Sequence, residues 1–132
     1  MKKNPVVHFE MPYKNAKRVA KFYSTAFGWG MMDAGAKMGN YVVATTTETD
    51  KNMMVKTPGN INGGFFPRDP KQPGRNAPSV VIAVSGITKA IKDVKAAGGK
   101  IVGKPMDIPG VGRWVVFVDP EGNRVSLLQA TN

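Results

Sequence analysis

The stretch from residue 67 to 78 constrains this chain more than any other. It contains Pro67, Pro70, Pro73, Gly74 and Pro78. Proline removes a backbone donor and fixes φ, so neither a helix nor a central strand survives that density. The stretch also lies near the middle of a 132-residue chain, and the same order of elements reads on both sides of it.

Ahead of the hinge, Val6 to Met11 alternates as a strand, with Val7, Phe9 and Met11 on one face and Val6, His8 and Glu10 on the other. Asn15 to Phe27 reads as an amphipathic helix through Ala16, Val19, Ala20, Tyr23, Ala26 and Phe27. Asn15 suits its start and Gly28 its left-handed end. Three strands are expected next, at Asn40 to Thr47, Met53 to Thr57 and Ile61 to Phe66. Gly63 and Gly64 dilute the third and point to a bulge or a close backbone approach.

Beyond the hinge, Ser79 to Val84 reads as a strand and Ile87 to Ala97 as a helix stopped by Gly98-Gly99. A strand begins at Lys100 to Lys104. Gly112 to Val118 and Arg124 to Gln129 are two more, joined by Asp119-Pro120-Glu121-Gly122-Asn123. Each half is therefore strand, helix, then about three strands. This order argues α+β, each helix packed on one face of a largely antiparallel sheet. We read one domain over 1–132: a first module over about 1–66, a linker over 67–78 and a second module over 79–132.

Composition narrows the function classes. There is no cysteine, which excludes disulfides, zinc–thiolate sites and thiol nucleophiles. Val6-Val7 is too short for a signal-peptide core and no run reaches the length of a membrane span, so a cytosolic protein without membrane contact is expected. The net charge of +10 raises nucleic-acid binding. The lysines are dispersed, with no run of four basic residues, which argues against it and for a solvated lysine-rich surface.

The segments His8-Phe9-Glu10-Met11-Pro12, Ala20-Lys21-Phe22-Tyr23 and Phe27-Gly28-Trp29 resemble the opening of glyoxalase/bleomycin-resistance/extradiol dioxygenase (vicinal-oxygen-chelate) proteins. Gly110-Val111-Gly112-Arg113-Trp114 and Asp119-Pro120-Glu121-Gly122-Asn123-Arg124 resemble that superfamily's last hairpin. The resemblance implies two βαβββ modules forming a curved mixed sheet around a cleft, and frequent dimerisation. It also implies a divalent metal held by residues on the first and last strand of each module, serving lyase, isomerase, dioxygenase or thiol-transferase chemistry.

Carried onto this chain, that ligand set is depleted. His8 matches the first position by its distance to Phe22-Tyr23. The equivalent place in the second module holds Ser79 or Val80, the last strand has Ser126 where the family has Glu, and Gly63-Gly64-Phe65 offers no carboxylate. His8, the only histidine, is the sole surviving metal candidate, and a catalytic metal generally needs about three protein ligands. No cofactor is therefore expected, a divalent metal being the family alternative. If catalysis remains, His8 and Glu10 are the pair suited to acid–base work. The expected ligand pocket is His8, Glu10, Trp29, Tyr41, Phe65, Ser79, Arg113, Trp114 and Ser126, with Arg113 able to meet an anion. The leading expectation is a small-molecule binder with a degenerate metal site, acting as a homodimer. A metal-dependent enzyme of the superfamily is the alternative, and a basic nucleic-acid-binding protein a second.

Overall fold

A computed structural model describes residues 2–131. The chain packs as two compact units. One is His8–Pro78; the other joins the residues ahead of His8 to those from Ser79 onward.

The first unit holds β1 (Val6–Tyr13) from His8 onward, α1 (Ala16–Phe27), β2 (Gly30–Asp33), β3 (Val42–Thr45) and β4 (Asn62–Pro67). Its strands lie in the order β2-β3-β4-β1. β1 runs parallel to β4, while β3 is antiparallel to both β4 and β2. Asn15 opens α1 by accepting the Arg18 N–H at 2.9 Å, and Gly28 closes it at φ 71°. Under α1 lie the buried Val42, Ala44 and Phe65, packed by Phe9, Met11, Tyr13, Val19, Tyr23, Trp29 and Met31.

The second unit repeats the plan with β5 (Ser79–Ala83), α2 (Ile87–Ala96), β6 (Lys100–Ile108), β7 (Gly112–Val118) and β8 (Arg124–Ala130). Its order is β5-β8-β7-β6, with β5 parallel to β8 and the other pairs antiparallel. Val84, Ile87, Ala90, Val115 and Leu127 form its core. The repeat of parallel first-and-last strands makes each unit a βαβββ module of an α+β protein. No helix among the described residues is long and apolar enough to cross a membrane.

Two expectations need correction. Met53 to Thr57 is not a strand. Met53 sits at φ 64°, and the Asp50 carboxylate accepts the N–H groups of Asn52 (2.8 Å) and Met54 (3.1 Å). A side chain that satisfies backbone donors locally competes with ladder formation, and only one bridge, Thr49 to Val55, remains. The missing strand is β2, four residues opening on glycine, whose pairing with β3 brings Met31 into the core. The strand expected from Asn40 starts at Val42, because Asn40 is left-handed at φ 56°. The strand that begins at Lys100 as expected, β6, continues past Lys104 to Ile108 across a register shift between Val102 and Met106, the bulge that accommodates Pro105 on an edge strand.

Candidate functional site

β1 sorts its side chains by alternation. Phe9, Met11 and Tyr13 enter the core beneath α1, which leaves His8 and Glu10 on the opposite face of the strand. β4 lies alongside in continuous parallel register, His8 beside Asn62 and Glu10 beside Gly64. Phe65 points to the core at 1% exposure, so Gly64 points to the face of His8 and Glu10.

Gly63 and Gly64 carry no bulge; both serve close approaches, on opposite faces. A Cβ on Gly63 would stand 2.4 Å from the Phe9 ring, and one on Gly64 would stand 2.1 Å from the ring of Tyr41. Tyr41, just ahead of β3, therefore lies flat across Gly64. Its hydroxyl reaches His8 Nε2 at 3.0 Å and hydrogen-bonds Glu10. His8, Tyr41 and Glu10 thus form a continuous polar chain on one module face.

The protonation states follow. Burial, and then the charge and hydrogen bond of Glu10, push the Tyr41 phenol far above its ordinary 10.0, so it stays neutral and donates its proton to the carboxylate. The phenol oxygen then accepts from His8, which assigns the His8 proton to Nε2 and leaves Nδ1 as an acceptor. Burial also lowers the His8 pKa from 6.5. The unfolded chain consequently takes up a proton on this residue before the folded one does. Stability from this group is full above about pH 6.5 and declines as pH falls below it. Urea unfolding between about pH 5 and 7.5 should show that slope, and His8→Gln should flatten it.

A divalent metal does not fit these donors. Nε2 of His8 and the carboxylate of Glu10 are joined through Tyr41. The Asn62 carboxamide oxygen, next in register, accepts the N–H groups of Thr46 (2.7 Å) and Thr47 (3.1 Å). Among the described residues no three His, Cys, Asp or Glu side chains gather.

The other expected pocket residues divide by strand face. Trp29 stacks on Tyr23 at 4.7 Å and 13°, and with Phe65 belongs to the core beneath α1. Both were expected to line the pocket; they instead fill the hydrophobic face that α1 requires. In the second unit, Val115 and Leu127 pack beneath α2, so Arg113 shares the α2 side and Trp114 the opposite one. Arg113 is paired with Asp107 at 3.0 Å in solvent. Adjacent strand residues point to opposite faces, so Arg113 and Trp114 do not face a common pocket. Ser79 Oγ donates to the Arg124 carbonyl at 2.9 Å, and Ser126 is buried in register with Val81 and Val116. The sequence offered a close approach at Gly63-Gly64 but not its ring partners, Phe9 and Tyr41, which lie elsewhere in the chain, and it missed the role of Asn62.

Comparison with known proteins adds the family. The model of the Glyoxalase/Bleomycin resistance protein/Dioxygenase superfamily matches residues 6–127. The anthracycline biosynthesis protein DauV of a Streptomyces species is 30% identical over 123 residues, covering 86% of this chain. The chain spans only 42% of that relative's length. A hypothetical protein from Bacillus halodurans superposes with a TM-score of 0.69 at 15% identity, over 99% of this chain and 97% of its own. Methylmalonyl-CoA epimerase from Mycobacterium tuberculosis superposes at 0.68 and 12% identity, over 96% and 88%; at such identities these two speak for the fold alone. With the matched span and the repeated βαβββ plan together, the chain belongs to the Glyoxalase/Bleomycin resistance protein/Dioxygenase superfamily.

Proposed function

We propose that this chain binds a small organic molecule on the His8–Tyr41–Glu10 face without a resident metal. The observation that carries the reading is the hydrogen bond from His8 Nε2 to Tyr41. It engages one ring nitrogen of the only histidine in the chain, and among the described residues no set of three His, Cys, Asp or Glu side chains gathers around the other. The same chain of bonds presents an acceptor, Nδ1, and a carboxylate on a surface that otherwise offers Val43 and the flat ring of Tyr41. Such a mixture of apolar area and a few fixed polar groups suits a planar ligand bearing hydrogen-bond donors. By family habit a homodimer belongs to the same proposal.

The relative named for anthracycline biosynthesis supplies the probe. An anthracycline is a flat polycyclic quinone with hydroxyl donors, and its fluorescence reports binding. Titration into the chelator-treated protein should give saturable quenching, and Glu10→Gln should weaken it about tenfold, the loss expected when a hydrogen bond to a charged group is removed. Calorimetry with manganese, nickel or zinc ions should show no stoichiometric site. A stoichiometric metal that perturbs the His8 ring resonances would overturn the metal-free reading.

A further inference from the structure

We propose that a second site, at the far end of the β1–β4 pair, takes a phosphate group of a small-molecule ligand. Here the two parallel strands end together. Tyr13 is in register with Pro67, and the Arg68 N–H donates to the Tyr13 carbonyl at 2.9 Å. The chain leaves the sheet through Lys14 on one side and Arg68 on the other. Tyr13, Lys14, Pro67, Arg68 and Pro70 bound an open recess of about 440 Å³, ample for a phosphate and part of the group it is attached to.

The two cations of this recess are not ion-paired; the carboxylate that bears on it is Asp33, whose charge acts on the Tyr13 hydroxyl. Among the described residues, ion pairs join Lys56 to Glu48, Lys89 to Asp93 and Arg113 to Asp107; neither Lys14 nor Arg68 takes part in one. The nearest carboxylate in sequence, Asp69, is committed to its own turn. Its Oδ1 accepts the Lys71 N–H at 2.9 Å and its Oδ2 accepts from Gln72 Nε2 at 3.1 Å. Asn76 clamps the Asp69 backbone from both sides, at 2.9 Å and 2.8 Å. The Tyr13 hydroxyl is fixed on the Asn40 carbonyl at 2.6 Å, so that one wall is held in place before anything binds. α1 begins directly after Lys14 and has no acidic residue in its first turn, which adds the positive end of its dipole. An exposed lysine and arginine flanking one recess match a dianion, the arginine through paired donors and the lysine as a point charge.

The test is calorimetric titration of the full chain with inorganic phosphate and with ribose 5-phosphate, each at low and high salt. Saturable one-to-one binding that weakens with salt is expected. Lys14→Gln or Arg68→Gln should raise Kd at least about fivefold, and the double variant should lose binding at an unchanged melting temperature. Tighter binding of the sugar phosphate through the same two residues identifies the phosphate as part of a larger ligand. Equal affinity for the two identifies free phosphate. Tyr41→Phe should leave both titrations unaltered, so this site and the His8 face stand or fall separately. Three results would overturn the proposal: no saturation by about 10 mM phosphate, unchanged affinity in the double variant, or preferential binding of single-stranded oligonucleotides that tightens with length and is lost in Lys17→Gln/Arg18→Gln/Lys21→Gln.

Discussion

Phe65→Ala is expected to cost about 3–5 kcal/mol of folding stability, read as a fall in Tm of roughly 10 °C or more. Phe65 is 1% exposed and stands between Val42 and Ala44 beneath α1. Its ring meets Tyr23 at 5.1 Å and Phe9 edge-on at 6.4 Å. Alanine would remove the transfer energy of the ring and leave a cavity that its neighbours close only in part. The site face should survive wherever the protein remains folded, so the depressed His8 pKa should persist in the ring proton resonances at low temperature. A variant with wild-type stability and lost ligand affinity would show that Phe65 lines a binding surface instead.

Gly64→Ala should act on the opposite face. The new Cβ would occupy the space of the Tyr41 ring, and the ring must lift away from His8. Overpacking of this kind costs about 1–3 kcal/mol. The more diagnostic reading is the imidazole. With the phenol displaced and water admitted, the His8 pKa should climb back toward 6.5, because its depression comes from burial. Gly63→Ala is the matched control. It drives a Cβ into the Phe9 ring, so it should lose comparable stability and leave the His8 titration in place. An unaltered His8 titration in Gly64→Ala would remove Tyr41 from its assigned position.

How far the sequence could be read depended on whether the information was local. β1, α1, α2, β7 and β8 were legible because periodicity, caps and turn residues act within a few positions. The alternation of Phe9 and Met11 with His8 and Glu10 sorted β1 into a face packed beneath α1 and an opposite face. β2 was not legible: Gly30-Met31-Met32-Asp33 has little strand propensity, and its pairing with β3 decides the matter. Met53 to Thr57 failed for the converse reason, since the Asp50 carboxylate outbids the ladder for nearby N–H groups. At the site, Tyr41 reads as one more aromatic residue. Its bond to His8 crosses 33 positions and depends on a strand register that no local pattern encodes. Trp29, Phe65 and Arg113 were misplaced for the same reason, because residue type alone does not say which side of a sheet a side chain faces.

The two compact units are not consecutive pieces of chain. Residues ahead of His8 belong with the segment that begins at Ser79, and the Ala83 N–H donates to the Pro5 carbonyl at 2.9 Å. A chain emerging from the ribosome therefore completes His8–Pro78 first. Its opening residues wait, already synthesised, until β5 is made some 75 residues later. A break at the proline-rich hinge would consequently not separate two self-sufficient halves. The carboxy-terminal fragment would lack the first few residues of the chain, and the amino-terminal fragment would carry them without their partner.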